Sequence, residues 1–357
     1  MRRSLVLTTL VAGLAAAACG SSTSAPPAAT TGTGDGAAAS TGQPVTLRLG
    51  YFPNVTHAPA IVGIEQGLFA KELGRNVTLK TALFNAGPEA VEALNADSID
   101  ATFIGPNPAI NLWAKSKGQA IKIVAGSTSA GASLVVKPEI ASAADLKGKK
   151  VASPQLGGTQ DVALRSWLQA AGLKTDKSGG GDVAVVPQAN ADTLAAFKTG
   201  DIAGAWVPEP WATRLVQEGG GKVLVDEKTL WPNGRFVTTH LIVAQKFLKD
   251  HPDTVEKLIA GLADSIESIT KDPAAAQKST NVGIDKATGR PLADKVIAAS
   301  WADLEFTLDP ISSSLKKSAA DAQAVGLLDA VDLEGIYDLT YLNTVLSAKG
   351  QPSVSDA

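Results

Sequence analysis

Three turns rich in glycine and proline carry the residues of this sequence that could hold a ligand. Gly157-Gly158-Thr159-Gln160-Asp161, Gly105-Pro106-Asn107-Pro108 and Asn85-Ala86-Gly87-Pro88 each follow a strand-like stretch and precede a predicted helix. Glycine lets backbone approach a ligand closely, and a helix N-terminus presents unpaired N–H groups and a positive dipole. Each turn alone is equally consistent with a helix cap that binds nothing. Three of them together favour a site for a small anion.

Two further groups of residues could contact a ligand. Asn54 and His57 lie in a loop and could point into a cleft, although a loop histidine is often only solvated or a helix cap. Trp206 lies near the end of another strand-like stretch, Ile202–Val207, and Glu209 and Trp211 follow it. The tryptophan faces could pack on an aliphatic group of a ligand, and the carboxylate could pair with an ammonium group. Alternatively, the two tryptophans belong to the core and Glu209 is a surface acid.

Several chemistries are excluded by composition. Cys19 is the only cysteine and there are three histidines, so neither a disulfide within the chain nor a cysteine-based metal site can form. The motifs of nucleophile elbows, zinc proteases and phosphate-binding loops are absent, which argues against an enzyme and predicts no cofactor and no metal. A net charge of −3 and 5% aromatic residues give no reason to expect a nucleic acid partner.

The N-terminal 44 residues have the pattern of an export and anchoring segment. Arg2 and Arg3 precede an apolar stretch too short to span a bilayer, which ends in Ala16-Ala17-Ala18 directly before Cys19. Residues 1–18 are therefore predicted to be a signal peptide, and Cys19 is predicted to be lipidated, although Ala16 stands where a bacterial lipobox prefers leucine. Residues 19–44 are rich in Ser, Thr, Ala, Gly and Pro and predict a flexible linker.

The remaining sequence alternates strand-like and helix-like stretches from Val45 onward, which predicts an α/β fold with a largely parallel sheet. After about Leu248 only helices are expected, over Thr254–Thr270, Lys295–Asp303 and Asp332–Ser347. The apolar residues predicted to share one face of the first of these are Val255, Leu258, Ile259, Leu262, Ile266 and Ile269.

A weak internal repeat predicts two similar lobes. Residues Ala93–Ile104 resemble Ala196–Val207, and each stretch is followed by a Pro-x-Pro. Two lobes that face each other would bring both proline-bounded turns to the carboxyl ends of strands, where open α/β sheets bind ligands. Coincidence in an alanine-rich chain is the alternative.

The chain resembles the substrate-binding proteins of sulfonate, taurine, nitrate and bicarbonate ABC importers, a family that includes thiamine-pyrimidine binding proteins. The matching stretches are Leu49–Tyr51, Gly67–Phe69, Glu89–Ile104, Asp145–Val151, Gly157–Gly172 and Asp192–Trp211. The resemblance implies a type II periplasmic-binding-protein fold, with two doubly wound lobes, a two-crossing hinge and a helical C-terminal tail. Lobe I would comprise residues 45–134 and 239–357, and lobe II residues 135–238.

The resemblance also implies which residues meet the ligand. The anionic group would lie against Gly105, Pro106 and Asn107 and against Gly158, Thr159 and Gln160. Family members that bind sulfonates use polar residues after the strand at 121–125, and these are Ser127, Thr128 and Ser129 in this chain. The candidate set is completed by Asn54, His57, Asn85, Glu209, Trp211 and Thr238.

The implied function is to bind a small anion, an aliphatic sulfonate or taurine, and to deliver it to an ABC permease and ATPase. The protein would be a monomer, anchored by lipid on the extracytoplasmic side of the cell membrane. Nitrate, bicarbonate and a thiamine-pyrimidine precursor are alternative ligands, since Asn54 and His57 are similar to the pyrimidine-binding branch. Eukaryotic pyrimidine synthases share this fold, but their cysteine-rich iron site has no counterpart in this sequence.

Overall fold

Two β-sheets organise residues 44–356, the part of the chain described by the computed structural model. The predicted signal peptide, Cys19 and the rest of the predicted linker up to residue 43 lie outside the described residues, as does Ala357. The strands within residues 44–356 are β1 Val45–Tyr51, β2 Val77–Leu83, β3 Ala101–Ile104, β4 Ile121–Ala130, β5 Ala132–Val136, β6 Lys150–Ser153, β7 Ala184–Pro187, β8 Gly204–Pro208, β9 Lys222–Asp226, β10 Val237–Ala244 and β11 Leu304–Phe306.

Helices cover the faces of both sheets. They are α1 Ala58–Glu65, α2 Leu68–Leu73, α3 Gly87–Asn95, α4 Pro106–Lys115, α5 Thr159–Ala170, α6 Asn190–Thr199, α7 Trp211–Gln217, α8 Gln245–Asp250, α9 Pro252–Lys271, α10 Pro273–Thr288, α11 Asp294–Ala302, α12 Ser312–Ala324 and α13 Thr340–Ala348. Short 3₁₀ helices occur at Val55–His57, Ala143–Leu146, Glu227–Leu230 and Pro232–Gly234. No helix among the described residues is both long and apolar enough to cross a membrane.

The two sheets share one strand order. The six-stranded sheet runs β11-β4-β10-β3-β1-β2, and the five-stranded sheet, read from its other edge, runs β9-β5-β8-β6-β7. β3 and β8 therefore hold equivalent places, each with one parallel and one antiparallel neighbour. These are the two strands of the internal repeat, so the repeat marks a structural duplication. We call the six-stranded sheet with its helices lobe I, and the five-stranded sheet with α5, α6 and α7 lobe II.

The sheets are mixed, and the prediction of a largely parallel sheet was wrong in this respect. β10 runs antiparallel to both β3 and β4, and β5 runs antiparallel to both β8 and β9. Each of these strands enters its sheet from the other lobe. Strand periodicity in a sequence reports which face is buried, but not the direction of the neighbouring strand.

The chain passes between the lobes twice. Gly131, at φ +72°, is the single residue between β4 of lobe I and β5 of lobe II. The return passes through the two 3₁₀ helices between Asp226 and Val237. Both passages lie within a few residues of the predicted boundaries after residues 134 and 238.

The C-terminal region packs mainly on lobe I. The predicted helix over Thr254–Thr270 is confirmed as α9, whose apolar face is buried against α1 and α2 except for the partly buried Ile266. Two predictions for this region were wrong. The three-residue strand β11 pairs with β4, and residues 332–339 are not helical because α13 begins only at Thr340. Helices α11 and α12 also contact α7 and α5 of lobe II.

Candidate functional site

The carboxyl ends of the parallel strands in both lobes face one cavity. In lobe I the turns after β1, β2 and β3 reach it, and in lobe II the equivalent turns after β6, β7 and β8 do so. Its volume is about 40 Å³, which leaves room for a ligand of only a few non-hydrogen atoms. The lining residues are Phe52, Asn54, Thr56, His57, Asn85, Ala86, Gly87, Gly105, Pro108, Pro154, Gln155, Gly158, Thr159, Gln160, Asn190, Pro208, Thr238 and Thr239.

The predicted site residues fall into two groups. Those that line the cavity are Asn54, His57, Asn85, Gly105, Gly158, Thr159, Gln160 and Thr238. Those that do not are Pro106, Asn107, Ser127, Ser129, Glu209 and Trp211. The second group lies at the start of α4, on β4 or directly after β8.

His57 is a neutral hydrogen-bond donor in this environment. The backbone N–H of Phe52 donates to its Nδ1 at 3.3 Å, and the Phe52 ring lies 4.3 Å from the imidazole, centroid to centroid. Burial lowers the pKa of His57 to about 3, so the ring carries no charge near neutral pH. With Nδ1 accepting, the proton of the neutral ring is on Nε2.

Asn54 is bonded across the cleft to lobe II. The indole Nε1–H of Trp211 donates to Asn54 Oδ1 at 3.0 Å. Indole nitrogen is only a donor, so its partner is the carbonyl end of the amide. Trp211 therefore contacts the site through Asn54 and does not face the cavity itself.

The turn after β3 brings Gly105 and Pro108 to the cavity. Gly105 is the residue before α4, and Pro106 and Pro108 carry no N–H, so Asn107 is the one residue with an N–H among the first three of α4. The Asn107 side chain points away and donates to the carbonyl of Ser318 on α12 at 3.0 Å. Its predicted role as a side-chain ligand contact thus has no geometric support in this conformation.

The turn after β6 is fixed by a buried carboxylate. Asp161 accepts hydrogen bonds from Ser153 Oγ at 2.7 Å, from Gly157 N at 3.0 Å and from Arg165 Nε at 3.0 Å. These bonds position the start of α5, where the N–H groups of Thr159 and Gln160 belong to the first helical turn. The Thr159 hydroxyl is buried and has no partner, so it is available to a ligand.

Sequence reasoning missed two polar residues of the lobe II wall. Gln155 follows β6 and Asn190 opens α6, and each has a buried side-chain oxygen without a partner. Amide oxygen and nitrogen can exchange places by rotation, so both groups can donate to or accept from a ligand. The duplication could have identified them, because these turns correspond to those that hold Asn54 and Asn85.

Asn85, Ser129 and Trp206 have hydrogen-bond partners within the protein, and Ser127 does not. Asn85 bonds to Glu89 Oε2 through its backbone N–H at 3.0 Å and its amide at 3.4 Å. On β4, Ser129 Oγ accepts from Phe236 N at 3.4 Å, and Ser127 Oγ is buried without a partner. Trp206 is fully buried in the core of lobe II and donates to Glu227 at 2.7 Å, so it cannot pack on a ligand.

The cavity has no charged side chain among its lining residues in the described part of the chain. Its polar groups are amides, hydroxyls, one neutral imidazole and backbone. Helices α3, α4, α5 and α6 all begin at its wall. A cluster of helix N-termini and neutral donors suits a small anion. Nor do residues 44–356 contain a cluster of histidine, cysteine and carboxylate side chains that could hold a metal ion.

Glu209 is a buried carboxyl directly behind Pro208 of the cavity wall. It is 2% exposed, and Thr213 N donates to its Oε2 at 3.2 Å. Burial raises the pKa of Glu209 from 4.5 to about 7, and the nearby negative charge of Asp303 acts in the same direction. The folded protein therefore holds a proton on Glu209 at pH values where the unfolded chain has released it.

We expect Glu209→Gln to raise the free energy of unfolding at pH 8 and to change it little at pH 5. Because the pKa is higher in the folded state, the contribution of Glu209 to stability falls as pH rises from about 4.5 through 7. Glutamine has nearly the same shape and stays neutral throughout. Chemical denaturation at both pH values measures the difference, with the exposed Glu334→Gln as control. A difference between Glu209→Gln and wild type that is the same at pH 5 and pH 8 would contradict this account.

The duplicated α/β lobes and the cavity between their strand ends have the architecture of the type II periplasmic-binding-protein fold. Residues 40–283 match the NMT1-like family, and the chain belongs to this family. The alkanesulfonate-binding protein of Xanthomonas axonopodis, solved with bound MOPS, has the same fold, with a TM-score of 0.68 and 21% identity over 81% of this chain and 96% of that one.

Curated relatives agree with this class. A binding protein of Brucella abortus, whose name states no ligand, is 28% identical over 232 residues, covering 64% of this chain and 68% of the relative. The taurine-binding periplasmic protein of Escherichia coli is 28% identical over 218 residues, covering 60% of this chain and 64% of the relative. Other relatives are named for aliphatic sulfonates and bicarbonate. They are named as binding proteins rather than enzymes, which confirms the family resemblance drawn from the sequence.

Proposed function

We propose that this protein binds a small organic anion, an aliphatic sulfonate or taurine, between its lobes and delivers it to an ABC importer. The observation that carries the proposal is the neutral cavity at converging helix N-termini. Such a site replaces the hydration of an anion with N–H groups and dipoles and needs no cationic side chain. The names of the taurine and sulfonate relatives support the same ligand class.

The apolar part of the wall fits the short carbon chain of such a ligand. Phe52, Ala86, Pro108, Pro154 and Pro208 lie among the polar lining residues. An anion with one or two carbons would place its oxygens on the donors and its methylenes on these side chains. A volume of about 40 Å³ is small for taurine, and more so for a long alkyl chain or a pyrimidine ring, so these ligands would need the lobes further apart than they are in this conformation.

Nitrate or bicarbonate is the second candidate ligand. The cavity volume of about 40 Å³ favours it, since these planar anions have only four non-hydrogen atoms. Nitrate or bicarbonate would accept hydrogen bonds from the donors of the cavity but would have no apolar group to contact its apolar side chains. A bicarbonate-binding protein is among the relatives, at 25% identity over 245 residues.

Calorimetry with taurine, methanesulfonate, nitrate and bicarbonate tests the proposal. We expect taurine or methanesulfonate to bind, and ethanolamine, which has a hydroxyl in place of the sulfonate of taurine, to fail. Binding of nitrate or bicarbonate alone would select the second candidate. If none of the four anions binds, the protein is not a receptor for this class of ligand.

The placement of the protein in the cell is also a proposal. We infer from the sequence that residues 1–18 are removed and that lipid on Cys19 holds a monomer at the extracytoplasmic face, beside its permease and ATPase. We further propose that the lobes are divided near residues 134 and 238, the boundaries predicted from the sequence, with β5 wholly in lobe II and β10 wholly in lobe I. Mass spectrometry of the mature N-terminus tests the anchor, and an unmodified Cys19 would contradict it.

A further inference from the structure

The hydrogen bond between Trp211 and Asn54 joins the two lobes at the cavity itself. Trp211 begins α7 of lobe II, and Asn54 follows β1 of lobe I and lines the cavity. Other side-chain bonds between the lobes, from Gln169 to the carbonyl of Ala324 and from Gln217 to that of Lys295, are exposed and lie away from the cavity. A bond that forms only when the lobes meet thus involves a residue that faces the ligand.

This bond decides which end of the Asn54 amide the ligand meets. Trp211 Nε1–H can only donate, so it occupies the carbonyl oxygen of Asn54. The amino group is then the hydrogen-bonding group that Asn54 has left for the cavity. Without Trp211 the amide can rotate by half a turn and present either end.

The indole ring is itself held in place from within lobe II. The guanidinium carbon of Arg214 lies 4.6 Å from the centre of the Trp211 ring. Arg214 is in turn bonded to Glu218 through Nε at 2.8 Å and Nη2 at 3.2 Å. Arg214 therefore holds the indole ring in place, and this fixes the direction from which its N–H donates to Asn54.

We propose that Trp211 is a positioning residue that, on lobe closure, orients the Asn54 amide so that it donates to the ligand. This inference rests on the proposed function, because it requires a ligand that accepts hydrogen bonds. Asn54 and the neutral His57 then present two donors side by side on the lobe I wall. The cavity thereby favours an oxyanion over a ligand that would donate at the same place.

Calorimetry with taurine, methanesulfonate and nitrate on Trp211→Phe, Asn54→Ala and the double variant tests the proposal. We expect Trp211→Phe to weaken binding about three- to tenfold, as for loss of one hydrogen bond. Since Trp211 acts through Asn54, the double variant should bind as Asn54→Ala does. Trp167→Phe, a tryptophan of lobe II that contacts Trp206 and not the cavity, is the matched control.

The indole N–H resonance of Trp211 provides a second readout that a purely structural role would not move. We expect it to shift downfield on saturation with the bound anion in wild type and to stay in place in Asn54→Ala, with the other five tryptophans as internal references. Additive losses in the double variant, or equal binding by Trp211→Phe and wild type, would overturn the inference. If wild type binds none of the three anions, the proposed function fails first and the inference falls with it.

Discussion

Gly105→Ala is expected to weaken ligand binding by about tenfold or more while it leaves the free energy of unfolding nearly unchanged. A Cβ at Gly105 would lie 2.3 Å from Thr159 Oγ1, far closer than non-bonded atoms approach. The backbone at Gly105 has φ −72° and ψ 162°, which alanine adopts freely. The clash is therefore confined to the contact between lobe I and lobe II, and it opposes closure only.

A second variant separates this effect from damage to the site. Replacing Thr159 with alanine removes the oxygen that clashes, and the nearest remaining neighbours of the new methyl group are then at 3.4 Å. We expect Gly105→Ala to cost much less affinity in the Thr159→Ala background than in wild type. Calorimetry measures the affinities, and small-angle scattering shows whether the ligand still makes the molecule more compact. If Gly105→Ala alone binds as tightly as wild type, the close approach of Gly105 to Thr159 is not part of the arrangement that holds the ligand.

Asp161→Asn is expected to lower the free energy of unfolding by about 3–5 kcal/mol, the largest stability effect that we foresee. Asp161 is 0% exposed and Arg165 is 1% exposed, so the substitution leaves a buried guanidinium without its counter-charge. Asparagine keeps the shape of the side chain and can turn its amide oxygen toward Gly157 N and Arg165 Nε, but it carries no negative charge to balance the guanidinium. Loss of the Asp161–Arg165 pair should also make the turn that carries Thr159 and Gln160 less rigid. We expect ligand affinity to fall as a result.

An exposed ion pair of the same chemistry provides the control. Lys246 and Asp250 lie one helical turn apart, with side chains 82% and 48% exposed, and Asp250→Asn should cost less than about 1 kcal/mol. Urea denaturation of both variants measures the two losses. The double variant Asp161→Leu with Arg165→Met should recover part of the stability, because no buried charge remains unpaired. A loss below about 1 kcal/mol for Asp161→Asn would show that the pair is not required.

The sequence predicted the two-lobed fold because its local signals agree with one another. The glycine- and proline-rich turns after β2, β3 and β6 stop each strand and begin each helix, and the repeat of Ala93–Ile104 and Ala196–Val207 marks β3 and β8. The predictions that were wrong concern features that the local sequence does not determine. The direction of β10 and β5 depends on the partners that they meet after crossing between lobes, and β11 is too short to show a period of two.

The tail shows a second limit of periodicity. Residues 332–339 contain apolar side chains at helical spacing, among them Leu333, Ile336 and Leu339. They nevertheless form a turn at Glu334–Gly335 followed by an isolated bridge between Tyr337 and Ile123 of β4. Gly335 has a positive φ, and the N–H of Asp338 bonds to the carbonyl of Ile123. A tertiary contact has overridden the local pattern there.

Turns were easier to predict than the side chains they present. Gly105 and Pro208 of the turns at 105–107 and 208–211 line the cavity, but Asn107 points to α12 and Trp211 to Asn54. Gln155 and Asn190 were not predicted to be site residues, because a single amide in a turn has no distinctive sequence pattern. The prediction for this lobe was based instead on the glycines beside Thr159. Side-chain direction depends on packing between elements that only the assembled lobes provide.

The neutral lining of the cavity also limits the valence of the ion that can enter it. The cost of removing an ion from water rises with the square of its charge, so a dianion costs about four times as much as a monoanion of the same size. The helix N-termini offer only about half an elementary charge each, and no charged side chain lines the cavity in residues 44–356. Sulfate and doubly ionised phosphate, which carry two charges, are therefore expected to bind more weakly than a sulfonate or nitrate of the proposed ligand class. Groups that are themselves uncharged would then set the valence of the ion that the cavity accepts.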